Sequence, residues 1–225
     1  MVPLALAVRD AIYQQSARLG QALSSPQRLR MLNLLAQRPR TVTELGEMLG
    51  ESKASASAHL KVLRAACLVT DERRGREVWC ALASDDVAKL LVTLRATAET
   101  LLPELQDVVR QAEQDERALV GVSLKQLAME VKTGRVRLVD LRPVEEFEAG
   151  HLPGAQSVPL ETLTATQLLR LKASFGDDEI VSYCRGPWCV AAREGVAKLA
   201  RAGLAVKRLP AGVTEWRAQG LRLAV

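Results

Sequence analysis

The sequence predicts two domains: a mainly helical one, then an α/β one built on a parallel sheet. Three observations carry this. Two short helical stretches are joined by a tight glycine turn at Gly50 and followed by a hairpin with Arg73-Arg74-Gly75-Arg76 at its tip. From residue 119 onward, short apolar strands alternate with helical stretches, the pattern of a sheet covered on both faces. Charge also changes between segments. Residues 1–83 carry 12 Lys/Arg against 7 Asp/Glu, residues 84–118 carry 4 against 8, and residues 119–225 carry 15 against 11. These three segments are the expected DNA-contacting domain, a long dimerisation helix with its linker, and the α/β domain.

The 225-residue chain has a formal charge of +5 and 3% aromatic residues, so its cores must be built from Leu, Val and Ala. Four Cys without a dense framework suit a reducing cytoplasm. Cys67, Cys80, Cys184 and Cys189 form no Cys-x-x-Cys unit and there are two His, so no metal site or cofactor is expected. Val2–Val8 has no basic segment before it and is not read as a signal peptide. No apolar run reaches the roughly 18–20 residues of a membrane span.

Leu4, Val8, Ile12 and Leu19 have helical spacing, with an interruption expected at Gly20. Ser24-Ser25-Pro26 restarts a helix that buries Leu29, Met31, Leu32, Leu34 and Leu35. Thr41 to Gly50 predicts a short capped helix, and Ser52 caps a second over 53–66 with Ala56, Leu60 and Leu63 inward. The opposite face offers Lys53, Ser55, Ser57, Ala58, His59 and Lys61. That is a helix-turn-helix, with a plain αα corner as the alternative. Arg73, Arg74 and Arg76 on the following hairpin suit phosphate or minor-groove contact.

Ser52 to Arg64, followed by Cys67-Leu68-Val69 and the Arg-Gly-Arg hairpin, resembles the winged helix-turn-helix of the ArsR family of bacterial repressors over roughly residues 15–100. Pro26-Gln27-Arg28-Leu29-Arg30 is similar to the start of that family's second helix. The resemblance implies a homodimer, a recognition helix in the major groove of a double-stranded DNA operator, and repression relieved by a ligand. The family's metal sensors carry a Cys-x-Cys pair where this chain has Thr43-Glu44-Leu45-Gly46-Glu47, so metal sensing by that route is not expected. The family's helix-ending Gly is Cys67 here. A non-glycine residue in a left-handed cap costs on the order of 1 kcal/mol.

Ser84-Asp85-Asp86 caps a helix whose stripe runs Val87, Leu90, Leu91, Leu94, Ala98, Leu101, Leu105 and Val108 to about residue 116, kinked or divided at Pro103. Such a stripe packs against the same helix of a second subunit, against its own domain, or both. A charged linker, 113–117, follows. Ser123 then caps a helix, 136–140 and 157–160 read as strands, 144–147 and 164–172 as helices, 178–183 as a strand, 190–199 as a helix and 205–209 as a strand.

Within this half the informative stretch is Tyr183 to Cys189. A Cys at a strand end, in a loop that opens a helix, sits where loop N–H groups and the helix terminus stabilise a thiolate; Arg185 can add charge. The alternative is a buried Cys acting as a small hydrophobe. Asp140-x-Arg142, Glu146-Phe147, the run Gly150-His151-Leu152-Pro153-Gly154-Ala155, the Cys184 loop, and Gly212 followed by Trp216 together resemble a rhodanese domain over residues 122–222. Ala211 stands where that family has Gly, and Arg222 where Pro is common. The resemblance makes Cys184 the persulfide-forming residue and Cys184, Arg185, Gly186, Pro187, Trp188 and Cys189 the substrate loop. It leaves Asp140, Arg142 and His151 as scaffold. Its donors would be thiosulfate, a persulfide or a polysulfide. Cys189 either attacks a Cys184 persulfide or is the first buried residue of the helix. Three functions follow: a regulator responsive to reactive sulfur, a sulfurtransferase localised by its DNA-binding domain, or an arsenic- or metal-linked regulator.

Overall fold

The computed structural model describes residues 4–112 and 122–225. The chain forms two compact units, Met1–Val87 and Ala88–Val225.

In the first unit, α1 (Leu4–Leu23) runs through Gly20 without a break, because nothing crowds that position and the turns on either side are good helix formers. Ser25 caps α2 (Pro26–Leu35), whose Met31, Leu32, Leu34 and Leu35 are buried. A two-residue strand that the sequence pattern did not announce, β1 (Arg40–Thr41), pairs with β3 (Glu77–Leu82). Thr41 and Glu44 form a reciprocal cap on α3 (Val42–Leu49), which ends at Gly50 with φ 69°. Ser52 caps α4 (Lys53–Ala65) and its Ala56, Leu60 and Leu63 face the core. Helices α3 and α4 form the helix-turn-helix. The hairpin β2 (Val69–Arg74) and β3 is the wing, turning at Gly75 and completing a three-stranded antiparallel sheet.

Cys67 ends α4 in the left-handed region at φ 57°, alone among the described non-glycine residues. α5 (Asp85–Leu101) begins in the first unit and passes into the second. It is separated at Leu102 from α6 (Pro103–Ala112), as a proline at a first helical turn requires. The expected charged linker at 113–117 lies outside the described residues.

The rest of the second unit is a parallel sheet, ordered β5-β4-β6-β7. Its strands are β4 (Arg137–Asp140), β5 (Ala155–Ser157), β6 (Ile180–Cys184) and β7 (Val206–Gly212). Between and around them run α7 (Leu124–Lys132), α8 (Val144–Glu148), α9 (Ala165–Phe175), α10 (Val190–Arg201) and α11 (Val213–Ala218). The strand expected at 157–160 ends at Ser157. Pro159 has no N–H for a ladder, and Leu160–Thr162 winds into a 3-10 turn. Alternate residues of β6 feed two cores: Ile180 and Cys184 join Leu171, Phe175, Val196 and Leu199, while Val181 and Tyr183 join Leu127, Leu152 and Trp216. Cys184 thus stands on the α9–α10 face of the sheet, at the carboxyl end of a central strand, where open α/β sheets place their ligands.

Candidate functional site

The loop between β6 and α10 is held from below by Gly212. A side chain there would put its Cβ 2.3 Å from the Cys184 carbonyl oxygen and 2.9 Å from the Gly186 nitrogen, so β7 can approach this closely only as glycine. Gly186 takes φ 118°, another conformation that favours glycine. The loop returns Cys189 to the N-cap of α10, and its sulfur lies 3.0 Å from that of Cys184, joined by a hydrogen bond. Cys184 is 4% exposed. Cys189 is half-buried.

That bond sets the chemistry of the pair. It pulls Cys189 down to about 6, against the opposing effect of burial and with help from the backbone N–H groups of Arg185 and Ala192 and from the Arg185 charge. The same bond, with burial, pushes Cys184 up. The first thiolate of the pair is therefore favoured on Cys189 rather than on Cys184.

Arg185 does not point its charge freely at the loop. Its Nε donates to both Glu146 oxygens at 3.0 and 2.9 Å and its Nη2 to Oε1 at 2.6 Å; the Glu146 side chain is 1% exposed. Glu146 and Phe147 were legible as a pair of motif residues, but nothing in the spacing paired Glu146 with Arg185. Asp140 and Arg142, both fully buried, form a second bidentate pair at 2.7–3.0 Å, and Arg142 Nη2 also donates to the Gly150 carbonyl at 2.8 Å. His151 stacks on Phe147 at 3.8 Å and bonds its backbone carbonyl through Nδ1. These three lie in the framework around the loop.

A cleft of about 380 Å³ opens on Cys184 and Arg185, walled by Leu141, Pro143, Leu160 and Ala191 with Glu161, Glu194 and Lys198 at its polar side. It is of the size that takes small organic ligands. Of the expected substrate loop only Cys184 and Arg185 line it; Gly186, Pro187, Trp188 and Cys189 do not. Trp188 is 48% exposed and sits under the Arg95 guanidinium, 5.3 Å from the ring centroid, while its Nε1 donates to Glu99. Arg95 also pairs with Glu215 at 2.6 Å, and Glu215 accepts the Gly212 N–H at 2.7 Å. Arg95, Glu99 and Glu215 were not among the sequence candidates, since side chains 120 residues apart leave no local pattern. Among the described residues no three His, Cys, Asp or Glu groups stand together as metal ligands.

In the first unit α4 exposes Lys53, Ser57, Ala58 and Lys61. Ser55 and His59 are half-buried and turn to Glu51: Ser55 Oγ donates to its carboxylate at 2.8 Å and His59 Nε2 lies 3.4 Å from it. Glu51, in the turn between the two helices, was missed because acids at helix turns are common. Arg73, Arg74 and Arg76 are exposed on the wing, with Arg74 paired to Glu72 at 2.6 Å and lying over Trp79.

Comparison with known proteins fits both halves. A model of the bacterial regulatory protein, arsR family, matches residues 25–71, and one of the rhodanese-like domain matches residues 123–219. The HTH-type transcriptional regulator Rv0324 of Mycobacterium tuberculosis (strain ATCC 25618 / H37Rv) is 37% identical over 217 residues, 95% of this chain and 92% of its own length. The HTH-type transcriptional regulator NmtR of the same organism is 41% identical over 71 residues, 32% of this chain and 59% of that protein. A solution NMR structure of the homodimeric winged helix-turn-helix DNA-binding domain of Mb0332 from Mycobacterium bovis shares 34% identity. It covers 43% of this chain and 89% of its own, with a TM-score of 0.41. Among the described residues no helix is long and apolar enough to cross a membrane.

Proposed function

The chain belongs to the ArsR-family transcriptional regulators, in a form that carries a rhodanese-like domain, and from that premise we propose that it is a DNA-binding repressor switched by reactive sulfur at Cys184 and Cys189. The observation that carries this is the 3.0 Å approach of the two sulfurs beside a cleft that reaches Cys184. Proton transfer across the bond between them delivers the thiolate to Cys184. It attacks the outer sulfur of thiosulfate, a persulfide or a polysulfide. A sulfur–sulfur bond forms on Cys184 as one in the donor breaks, and the electron pair leaves with sulfite, a thiolate or the shortened polysulfide. Cys189 gives the proton it received to the departing group or to water and, as thiolate, then attacks the inner sulfur of the Cys184 persulfide. A disulfide forms and the outer sulfur leaves as hydrosulfide, so the thiol pair loses two electrons and the sulfane sulfur gains them.

The protein works as a homodimer in a reducing cytoplasm. Leu94, Leu101, Leu102 and Val108 are exposed along α5 and α6, an apolar surface suited to a second copy. Lys53, Ser57, Ala58 and Lys61 face the major groove, and Arg73, Arg74 and Arg76 the flanking backbone or minor groove. The test is operator affinity, on DNA selected from a random pool by the reduced protein, before and after polysulfide. A change in the wild type that is absent in Cys184→Ser is expected; equal affinity in both states overturns the switch.

The open cleft favours a companion activity. Sulfur loaded on Cys184 is passed to an external thiol or cyanide, making the second unit a sulfurtransferase with a thiosulfate or persulfide donor. Sustained turnover with thiosulfate, lost in Cys184→Ser, supports it; a single loading without turnover contradicts it.

A further inference from the structure

Helix α5 reaches the sulfur loop through an array of contacts that the thiol chemistry does not use. Arg95 is nearly buried, 11% exposed at its side chain, and Glu215 is 12% exposed; their ion pair at 2.6 Å is therefore shielded from solvent screening. Glu215 in turn holds the Gly212 N–H at 2.7 Å, and Gly212 is the residue packed against the Cys184 carbonyl. From the other side the Arg95 guanidinium covers the indole of Trp188, and Glu99, one helical turn further along α5, accepts that indole's N–H. Gly186, between the two, leaves room for this approach: a Cβ there would lie 3.1 Å from Arg95 Nη1 and 3.1 Å from Glu215 Oε2. Trp188 is the residue before Cys189.

We propose that Arg95 and Glu99 are positioning residues for the sulfur loop, and that through Trp188 and Glu215 they make the conformation of α5 depend on the sulfur state of the Cys184–Cys189 pair. This rests on the sulfur chemistry proposed above. Closing the disulfide draws the sulfurs from 3.0 Å to about 2.0 Å and fixes their torsion, which moves the backbone at Cys189 and with it the neighbouring Trp188. An added sulfur on Cys184 pushes the same pair apart. Either change alters the fit of Trp188 beneath Arg95 and against Glu99. A fixed array of this kind has discrete arrangements rather than continuous ones. The same helix begins in the DNA-binding unit at Asp85, so its conformation is the covalently connected variable that both units share.

The test is hydrogen exchange of the peptide 88–101 in the full chain, reduced and after inorganic polysulfide, with intact mass read on the same samples. The wild type and the variants Arg95→Met and Glu99→Ala are compared. Wild-type exchange in this peptide is expected to change by about fivefold or more on loading, the lower range of ordinary coupling between sites. Both variants are expected to show the same change in mass as the wild type, with the change in exchange reduced to less than half. Glu99→Ala removes the acceptor of the Trp188 N–H from a half-buried helix position and keeps the test decisive if Arg95→Met does not fold. Wild-type loading with no change in α5 exchange overturns the proposal, and so does an undiminished change in the variants. Failure of the wild type to load overturns the sulfur chemistry itself, and the coupling with it.

Discussion

Arg185 grips the carboxylate of Glu146 with Nε and Nη2, so the sulfur loop's own cation is anchored by a buried acid on α8. The pair is asymmetric: Glu146 is 1% exposed at its side chain and Arg185 27%. Arg185→Met removes the bidentate partner of a buried carboxylate, which keeps its electrostatic interaction with Arg142, and is expected to cost about 3 kcal/mol. Glu146→Gln leaves a guanidinium that reaches water and is expected to cost about 1.5–3 kcal/mol. Urea unfolding of the two variants measures the order. Equal losses would mean that the acid is not the more dependent partner.

Loading at the loop has a defined pH dependence. With Cys189 lowered to about 6, the thiolate of the pair is present above that pH and is lost as the pH falls through it. The rate of sulfur loading is expected to level off above about pH 6 and to fall roughly tenfold by pH 5. Continued tenfold increases per unit between pH 7 and 8.5, as for an ordinary thiol, would contradict it. Cys80 is the internal control. Burial, with Asp71 beside it, pushes it up to about 11, and it is expected to resist alkylation at pH 8 in the native protein.

Cys67 holds a left-handed φ of 57° in the turn after α4. Cys67→Gly removes the steric cost of that conformation and is expected to stabilise the first unit by about 1 kcal/mol, measured as a rise in its urea midpoint. A loss of stability would mean that the thiol makes a contact worth more than the strain.

Lys53 and Lys61 are exposed on α4, and Arg76 at the wing tip. Changing any one to Ala is expected to weaken DNA binding similarly across sequences and to reduce the slope of log affinity against log salt by about one. Glu51→Gln acts differently: it removes the charge that holds Ser55 and His59, and is expected to raise affinity for DNA of any sequence. Binding that is indifferent to all four changes would place the interface elsewhere.

What the sequence made legible was local. Ser25, Thr41, Ser52 and Ser123 cap the helices their positions announce, and Gly50 and Gly75 turn the chain where positive φ is needed. The Cys184 loop was visible because strand, loop and helix are contiguous. What escaped was tertiary. β1 is two residues long and exists through its pairing with Cys80 and Trp79. Gly20 stayed helical because a single glycine costs about 1 kcal/mol, which the flanking turns of α1 offset. Arg185–Glu146, 39 residues apart, and Trp188–Glu99, 89 apart, depend on the fold that brings them together.

The central claim is that Cys184 and Cys189 act as one sulfur-handling pair, and intact mass after brief polysulfide treatment of the reduced protein tests it most directly. The wild type, Cys184→Ser and Cys189→Ser are compared. The account predicts that the wild type ends two hydrogens lighter, or bridged by added sulfur, while Cys189→Ser stops at a persulfide about 32 Da heavier and Cys184→Ser gains nothing at this loop. Sulfur that loads on Cys184→Ser as on the wild type, or a wild-type product that Cys189→Ser reproduces unchanged, would contradict it.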